Sequence, residues 1–330
     1  MNVWLPYVVG GSGTDTFTRS FASRLEAAGH SAFLQAFPHW MQFAPDLLRT
    51  VKPPKHANVT LTNTWNGFAF ERRGVPMVTM EQLCVFDRAY ESFRSAGQAL
   101  FHLTLVRWFE TRTFAAADRV VAVSRATQRA VMESFEGVAP IVIPNGVDTD
   151  FFSPGPAKGN DGVFRLLFVG NLTTRKGADL LPGIMNALGP GFFLRYTTGL
   201  RKRAVLDAEN AVSLGSLDLN GVRQAYREAD ALIFPTRLEG LPLSVLEAMA
   251  CGLPVVGSDR SSMSEAVADG QTGFLCALEA GAFVSAIRSL AENQTLRTKM
   301  GEAARRRAAS EFSIDLTVQR YLELFRELVD

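Results

Sequence analysis

The chain has 330 residues, enough for about two domains, each able to bury its own hydrophobic core without disulfide bonds or a structural metal. Its 34 basic and 33 acidic side chains leave a net charge of +1, which argues against a protein that covers nucleic acid, since such a protein needs excess positive charge. Charged residues at 20% and hydrophobic residues at 47% exclude disorder of the whole chain.

The three cysteines and four histidines are scattered, without a CxxC pair, so we expect no metal site and a reducing compartment. No apolar run approaches the roughly 18 residues of a membrane span. The first residues also lack the basic and apolar regions of a signal peptide. We therefore expect a cytoplasmic protein, with contact at the inner face of the membrane as an alternative.

Short apolar segments rich in β-branched residues alternate with helical patterns along the chain. Strands are predicted at Val3–Val9, Ser31–Phe37, Val59–Thr62, Val75–Thr79, Arg119–Val123, Ile141–Ile143, Phe164–Val169, Ala231–Phe234 and Pro254–Val256. Helices are predicted at Thr16–Ala28, Leu100–Ala116, Ala126–Phe135, Asp179–Leu188, Gly221–Glu228, Leu243–Ala250 and Ile314–Leu328. This alternation predicts an α/β protein with doubly wound parallel sheets.

A segment rich in proline and glycine, residues 153–162, predicts a linker between two domains, because it can continue neither a helix nor a central strand. The domains are expected over 1–152 and 163–312, followed by an amphipathic helix within 313–330. Two such sheets are expected to face a cleft with their carboxyl edges, where α/β proteins bind ligands.

The segment most informative about chemistry is 231–256, in which Glu239 follows a buried strand and Glu247 lies in an apolar helix. A carboxylate there loses much of its hydration, which costs several kcal/mol unless donors replace the water. The two hydroxyls of a ribose could supply those donors. The amides of Leu243 and Ser244, at the helix N-terminus, would face an anion such as a diphosphate.

An alternative for Glu247 is a capping box with Ser244, which would direct the carboxylate to its own helix end. Pro242 favours a helix that begins before Ser244, and therefore favours the ribose interpretation. Glu239 considered alone could be a solvated loop residue. The two acids together, eight positions apart on a strand, loop and helix, are a more specific indication of a ligand site than either acid alone.

Glu239 and Glu247, within Glu-Gly-Leu-Pro-Leu and Leu-Glu-Ala-Met-Ala-Cys-Gly-Leu-Pro-Val-Val, resemble the donor-site signature of retaining glycosyltransferases of family 4. The resemblance covers nearly the whole chain and includes the segments Gly10–Gly13, Ala117–Ser124, Ile143–Asp148, Phe168–Gly177 and Glu265 with Asp269–Gly273. It implies the GT-B architecture, in which two Rossmann-like domains face a cleft and the C-terminal helix packs back on the first domain.

By this resemblance Glu247 holds the nucleotide ribose and Glu239 the transferred sugar, while Lys176 and Arg175 neutralise the diphosphate leaving group. The other expected donor-binding residues are Gly240, Leu241, Leu243, Ser244, Gly11, Gly13, Asn171, Leu214 and Ser216. The implied donor is a UDP-, GDP- or ADP-sugar, and the acceptor a sugar, a lipid-linked compound or a small molecule. No metal, cofactor or nucleic acid is implied, and the oligomeric state is left open.

Two positions depart from the family pattern. Asn171 stands where the family usually has an arginine, and Arg175 is the expected substitute. The segment 78–87 lacks the histidine that the family carries near the reacting carbon, so Glu81 or Gln82 is expected there, and we assign Glu81.

Several other motifs have weaker interpretations. Gly11-x-Gly13 lacks the third glycine and the acidic residue of a dinucleotide site, and Asp148-Thr149-Asp150 is interpreted as a chance match to a metal-binding motif. The basic runs Arg201-Lys202-Arg203 and Arg305-Arg306-Arg307 are expected on solvated helix faces, with membrane contact as the alternative. Arg72-Arg73 could contact an anionic acceptor or complement a helix dipole. The remaining candidates for an acceptor groove, most of them expected in the core, are Phe37, Trp40, Phe43, Trp65, Phe68 and Phe70.

The sequence therefore predicts a retaining, metal-independent glycosyltransferase that binds the acceptor with its first domain and the nucleotide sugar with its second. A nucleotide-sugar epimerase or phosphorylase of similar fold, and a non-catalytic sugar-nucleotide-binding protein, remain as alternatives.

Overall fold

A computed structural model describes residues 1–11, 13–156, 161–199 and 205–330. The chain forms two compact units, Met1–Gly146 with Ile314–Asp330, and Val147–Ser313. They divide between Gly146 and Val147 rather than after Phe152, because the Val147 amide donates to the Phe312 carbonyl (2.8 Å) and Phe152 is buried in the second unit. We call them unit 1 and unit 2.

Unit 1 contains a six-stranded parallel sheet in the order β2-β1-β3-β4-β5-β6. Its strands are β1 (Asn2–Val8), β2 (Ser31–Phe37), β3 (Val59–Asn63), β4 (Met77–Glu81), β5 (Arg119–Ala122) and β6 (Ile141–Val142). Its helices are α1 (Gly13–Ala27), α2 (Pro45–Arg49), α3 (Ala96–Phe101), α4 (Arg107–Ala116), α5 (Arg125–Ser134) and α12 (Ile314–Val329). Short 3₁₀ turns occupy His39–Phe43, Gly67–Phe70 and Arg88–Phe93, and a π-helical turn, His102–Val106, joins α3 to α4.

The last helix, α12, packs against α1 within unit 1. The rings of Phe21 and Tyr321 meet edge to face with centroids 5.0 Å apart. The Thr317 hydroxyl donates to the Pro144 carbonyl (3.0 Å). The C-terminal helix thus shares the core of the unit that begins the chain.

Unit 2 contains a second six-stranded parallel sheet, in the order β12-β11-β10-β7-β8-β9. Its strands are β7 (Phe164–Phe168), β8 (Phe192–Thr197), β9 (Ala211–Gly215), β10 (Ala231–Phe234), β11 (Val255–Ser258) and β12 (Gly273–Cys276). Its helices are α6 (Leu181–Leu188), α7 (Leu219–Glu228), α8 (Leu243–Ala250), α9 (Met263–Ala266), α10 (Ala280–Glu292) and α11 (Gln294–Glu311). The central strands β7, β10 and β11 are almost wholly buried, as their continuous apolar sequences require.

The predicted α/β class with two doubly wound parallel sheets is confirmed. Three strands, β8, β9 and β12, were not predicted. β8 carries Arg195, whose side chain pairs with Glu228. β9 is a half-exposed edge strand without an apolar run, and β12 is a partly exposed edge strand that begins with Gly273. The predicted helix Leu100–Ala116 is interrupted by the π-helical turn.

Several polar motifs have structural partners instead of the expected solvent or ligand. Arg305 donates to the carbonyls of Thr149, Phe152 and Ala250, and Arg307 to those of Glu265 and Ala266, so the expectation of a solvated face is wrong for both arginines. The other basic run, at positions 201–203, lies outside the described residues. Asp148 accepts from the amides of Asp150 and Phe151, which closes a turn.

Arg72 is also structural, so the predicted contact with an anionic acceptor is wrong for this residue. Its guanidinium donates to backbone carbonyls of two segments, 48–51 and 69–71, including those of Arg49 and Ala69, and lies 5.6 Å from the centre of the Trp4 ring. Burial and the charge of Arg49 lower its pKa.

Within the described part of the chain, no helix combines the length and apolar character needed to cross a bilayer.

Candidate functional site

Two loops at the carboxyl edge of the unit 2 sheet are joined by a backbone hydrogen bond. One follows β7 and contains Arg175 and Lys176; the other follows β10 and contains Glu239. The Arg237 amide donates to the Arg175 carbonyl (2.8 Å). Gly177 has a left-handed backbone (φ 73°), and a Cβ atom there would lie 1.9 Å from the Pro235 carbonyl oxygen. A side chain at this position would therefore separate the two loops.

Glu239 is almost buried and forms ion pairs with both cations of the first loop. Its Oε1 lies 2.8 Å from Lys176 Nζ and 3.1 Å from Arg175 Nη1. Burial raises the pKa of Glu239, but the charges of Lys176 and Arg175 outweigh it and leave the pKa below its usual value. The structure thus brings two adjacent cations to an acid that lies 63 positions after Lys176 in the sequence.

Two serines that the sequence analysis missed hold the backbone of Glu239. The Glu239 carbonyl accepts hydrogen bonds from the hydroxyls of Ser261 (2.6 Å) and Ser262 (3.2 Å), and the Ser261 Oγ accepts from the Glu239 amide (3.2 Å). Ser261 is the one described non-glycine residue with a positive φ, 54°. Strain of this kind gathers at functional sites. The available signal was a polar run directly after a buried strand, Asp259–Ser262.

Helix α8 spans Leu243–Ala250, as predicted, and begins beside this loop with Pro242 as its N-cap. The amides of Val245 and Leu246 donate to the Pro242 carbonyl. The amides of Leu243 and Ser244 belong to the first turn, where a helix leaves its N–H groups for other partners. This arrangement suits the anion predicted here.

The carboxyl of Glu247 contacts the hydroxyl of Tyr226, a residue of α7 that the sequence analysis missed. The Tyr226 oxygen lies 2.9 Å from Glu247 Oε2 and 2.9 Å from the Ser244 carbonyl oxygen. Burial raises the pKa of Glu247 to about 7, although the hydrogen bond from Tyr226 lowers it. The capping-box alternative is not what the structure shows, since the helix has no side-chain cap.

The Tyr226 hydroxyl is shared between two acceptors, which limits how much it stabilises the charged form of Glu247. Tyr226 has one hydroxyl hydrogen and two acceptors at equal distance, so it can satisfy only one of them fully. A protonated Glu247 could donate to the Tyr226 oxygen while Tyr226 donates to the Ser244 carbonyl. With a pKa of about 7, the carboxyl of Glu247 titrates near neutral pH in the unliganded site.

The other predicted donor-binding residues of unit 2 are dispersed along the same edge of the sheet. Gly240 and Leu241 are buried between Glu239 and α8. Asn171 follows β7, and its side-chain oxygen approaches Gly199. Leu214 and Ser216 lie at the end of β9, the outer strand of the sheet, so the structure does not bring them to Glu239.

In unit 1 the backbone amides of the loop after β1 already donate hydrogen bonds to a carboxylate of the same chain. Asp15, in the first turn of α1, accepts hydrogen bonds from the amides of Gly10 (3.1 Å) and Gly11 (2.7 Å). The Gly11 amide is therefore not available to an anion, contrary to the prediction, and the neighbouring carboxylate repels one. Gly13 is the first residue of α1, and its assignment stays a prediction.

Glu81, the assigned substitute for the missing histidine, ends β4 and is 2% exposed. Its Oε1 accepts from the Leu83 amide (3.0 Å), while its Oε2 has no hydrogen-bond partner among the described residues. Glu110, fully buried in α4, lies beside it and accepts from the Thr64 hydroxyl (3.1 Å). Burial raises the pKa of both acids, and the charge of Glu81 raises that of Glu110 further.

Glu81 lines a cavity of about 340 Å³ at the carboxyl edge of the unit 1 sheet. This volume lies in the range of small-molecule sites. Its lining includes the polar side chains of Thr14, Asp15, His39, Gln42, Thr62, Asn63, Thr64, Asn66, Glu81 and Gln82. Among the described residues that line it, none is a lysine or an arginine.

A Glu110→Gln variant is expected to lose less stability than the wild type as the pH rises from about 5 to about 8. Because the pKa values of these acids are raised, the folded chain holds more protons than the unfolded chain at pH values above the ordinary glutamate pKa. Its free energy of unfolding therefore falls as the pH rises. The fall is up to about 1.4 kcal/mol per pH unit for each retained proton. The amide oxygen of glutamine can still accept from Thr64.

Urea unfolding at several pH values, followed by tryptophan fluorescence, measures this effect in unit 1, which contains all four tryptophans. Glu133→Gln, at an exposed site on α5, is the matched control and should keep the wild-type pH slope. If the free energy of unfolding changes equally with pH in Glu110→Gln and in the control, the prediction that Glu81 and Glu110 retain a proton in the folded chain is wrong.

The aromatic candidates separate into core and surface. Phe37, Phe68 and Phe70 are buried, as expected for most of the set. Trp65 lines the cavity of unit 1, whereas Trp40 and Phe43 are exposed.

A larger cavity in unit 2, about 960 Å³, lies near the amino ends of its strands, among Phe164, Phe192, Asp230 and Pro254. That is the edge opposite to the one where α/β sheets bind ligands, and we assign no function to it. Among the described residues, no three histidine, cysteine or acidic side chains are grouped so that they could hold a metal ion.

Two family models match the chain. The one described as Glycosyltransferase Family 4 matches residues 31–151, and the one described as Glycosyl transferases group 1 matches residues 202–307. Together they cover more than half of the sequence.

Curated relatives carry glycosyltransferase names. The α-maltose-1-phosphate synthase of Mycolicibacterium smegmatis is 27% identical over 255 residues, which cover 67% of this chain and 66% of that protein. The D-inositol 3-phosphate glycosyltransferase of Actinosynnema mirum is 30% identical over 264 residues, covering 68% of this chain and 61% of that protein. The chain therefore matches somewhat less than two thirds of the length of these relatives.

Solved structures show the same fold across the whole chain. Sucrose-phosphate synthase from Thermosynechococcus elongatus has a TM-score of 0.82 at 18% identity, with 99% of each chain covered. Anabaena HepE in complex with UDP-glucose has a TM-score of 0.75 at 17% identity, covering 98% of this chain and 99% of that one.

Proposed function

This chain belongs to the glycosyltransferases of family 4, with the GT-B fold, and from that membership we propose that it is a retaining, metal-independent enzyme that transfers a sugar from a nucleotide diphosphate to an acceptor hydroxyl. One observation carries the proposal. Lys176 and Arg175 converge on the nearly buried Glu239 beside the N-terminus of α8.

This cluster suits the departure of a diphosphate. The bond between the sugar carbon and the phosphate oxygen breaks, negative charge collects on the phosphate, and Lys176 with Arg175 would stabilise it. The acceptor hydroxyl attacks the same face of the sugar, and its proton passes to the departing phosphate oxygen. In the unliganded protein the two cations neutralise Glu239, so the donor would enter a site whose charges are already positioned.

Donor recognition would combine α8 with Glu247. The Leu243 and Ser244 amides suit the diphosphate, and the Glu247 carboxylate suits the two ribose hydroxyls. Because the structure of Anabaena HepE, a protein of similar fold, contains UDP-glucose, that compound is the first donor to test.

Unit 1 would bind the acceptor. Its cavity offers carboxylate, amide and hydroxyl oxygens from Asp15, Glu81, Asn63 and Thr64, which suits a ligand rich in hydroxyl groups.

A thermal-shift panel of UDP-, GDP- and ADP-sugars, followed by product analysis with sugar and lipid-linked acceptors, tests the proposal. A ligand at a hundred times its Kd should stabilise the protein by about 2.7 kcal/mol. An epimerised nucleotide sugar, or a free sugar phosphate made from inorganic phosphate, would instead identify an epimerase or a phosphorylase. Binding without any turnover, unchanged by Glu239→Ala and abolished by Glu247→Ala, would identify a binding protein.

A further inference from the structure

The cavity at the carboxyl edge of the unit 1 sheet is lined by buried side chains with unused hydrogen-bond acceptors. Glu81 and Asn66 both line it and are 2% and 7% exposed. Glu81 Oε2 and Asn66 Oδ1 have no hydrogen-bond partner in the part of the chain that the structure describes. A buried acceptor without a donor is destabilising, so a ligand that brings hydrogen-bond donors would stabilise this lining.

Acidic side chains give the cavity its charge. Asp15 lines it and accepts hydrogen bonds from the backbone amides of Gly10 and Gly11. Glu110 lies beside Glu81 but is fully buried and not part of the lining. Burial and the charge of Glu81 raise the pKa of Glu110 well above its usual range, so Glu110 keeps its proton when Glu81 ionises. That proton occupies one lone pair of Glu81 and leaves others for a ligand.

Positive charge does not balance these acids, since no lysine or arginine is among the described residues of the lining. His39 is neutral in this arrangement. Its Nδ1 lies 3.1 Å from the Val9 carbonyl oxygen and carries the hydrogen, while its Nε2 lies 2.8 Å from the amide nitrogen of Gln42 and accepts. Arg19 donates to the Tyr7 hydroxyl (3.3 Å) from an exposed position, where water and salt screen its charge.

Aromatic rings complete the lining. Tyr7, Trp65 and Phe70 contribute to it together with the acids. The face of an aromatic ring attracts a cation, and so does a carboxylate. Acceptor oxygens, negative charge and aromatic rings are together the features of a site for an organic ammonium group, and they are unsuited to a phosphate.

We propose that this cavity selects acceptors that carry a positively charged amine among their hydroxyl groups, the chemistry of an amino sugar or an aminocyclitol. The inference rests on the proposed function and names the class of acceptor. An ammonium group has three donors and no acceptor, which suits the oxygens of Glu81 and Asn66, and the charges of Asp15 and Glu81 attract it. A phosphorylated acceptor would be repelled by the same charges. Because an ammonium nitrogen has no lone pair, the reacting group remains a hydroxyl.

Saturation-transfer NMR on the full chain, without any nucleotide sugar, measures this selectivity. The probes 6-amino-6-deoxyglucose, glucose and glucose 6-phosphate differ at one carbon, and glucosamine places the amine at another. At pH 7 at least one of the two amino sugars should have a Kd about tenfold or more below that of glucose, because its charge is attracted in a partly buried site. Glucose 6-phosphate should bind more weakly than glucose.

Two variants locate the binding in the cavity. Glu81→Gln removes the charge but keeps an oxygen for the Leu83 amide, and should raise the Kd of the amino sugar about tenfold while that of glucose changes less than about twofold. Gln42→Lys places a cation in the lining, and should weaken binding of the amino sugar and strengthen binding of glucose 6-phosphate. The matched controls are Gln319→Lys and Glu133→Gln, which make the same charge changes at exposed sites on α12 and α5 and should bind like the wild type.

Melting temperatures show whether each variant is folded, and Gln42→Lys decides the matter if Glu81→Gln does not fold. If neither amino sugar binds more tightly than glucose, or if Gln42→Lys leaves their Kd unchanged, the inference is wrong. Sugar transfer to a phosphorylated acceptor in preference to an amine-bearing one would overturn it and leave the proposed function standing. Selective binding of the amino sugars without transfer to any acceptor would support the selectivity of the cavity and contradict the proposed function.

Discussion

A Lys176→Gln variant is expected to have a kcat at least about a hundredfold below the wild-type value, with a smaller change in donor affinity. Lys176 Nζ lies 2.8 Å from Glu239 and its side chain is only 15% exposed, so its charge acts in a site with little water to screen it. The negative charge of the leaving phosphate is larger in the transition state than in the bound donor. The loss therefore falls on kcat, measured at saturating donor and acceptor.

Arg306→Gln is the matched control, because it removes one positive charge from the same unit at a residue whose side chain is 71% exposed. Its kcat should stay within about twofold of the wild type. Lys176→Arg keeps the charge but changes its geometry, and we expect an intermediate rate. Equal kcat values for Lys176→Gln and Arg306→Gln would show that this cation does not stabilise the leaving group.

Donor affinity is expected to weaken by up to about tenfold for each pH unit below about 7, and to be constant above it. Burial raises the pKa of Glu247 to about 7, so below that pH the carboxyl is protonated and accepts the ribose hydroxyls less well. The ion pairs lower the pKa of Glu239, which stays ionised over this range. Calorimetric titration with the nucleotide sugar that gives the largest thermal shift measures the dependence, since its esterified diphosphate does not itself titrate there.

Two variants separate this effect from general loss of binding. Glu247→Gln should bind weakly and without pH dependence, at the affinity that the wild type reaches in acid. Tyr226→Phe removes the hydrogen bond that lowers the Glu247 pKa and keeps the buried ring, so the titration should move to higher pH. A pH-independent wild type, or an unaltered slope in Glu247→Gln, would contradict the assignment of Glu247 to the ribose.

The residues of the proposed donor site were accessible to sequence reasoning because their signals are local. Glu239 and Glu247 lie eight positions apart around a proline-marked helix start, and an acid in an apolar helix is conspicuous without any structure. The buried strands β7 and β10, which are mostly apolar, were equally clear. The edge strand β9 and the short β12 were not, because strands with little buried surface carry little apolar pattern.

The partners of those residues required the fold. Tyr226 meets Glu247 across two helices, and Ser261 meets Glu239 across two loops, at sequence separations of 21 and 22. Glu110 likewise joins Glu81 only because α4 packs against β4. The hydrogen bond from the Gly11 amide to Asp15 also required the fold. Asp15 is only four positions away in the sequence, but its contact with this amide depends on how the loop turns into α1.

The amino-acid sequence by itself determined the α/β class and the acids that we assign to the donor, because periodicity and local environment are properties of neighbouring residues. Only the tertiary structure decided that the pKa of Glu247 rises to about 7 and which hydrophobic side chains of unit 1 stay at the surface. Burial and pairing depend on groups that are distant in the chain and adjacent in space, and no local pattern encodes them.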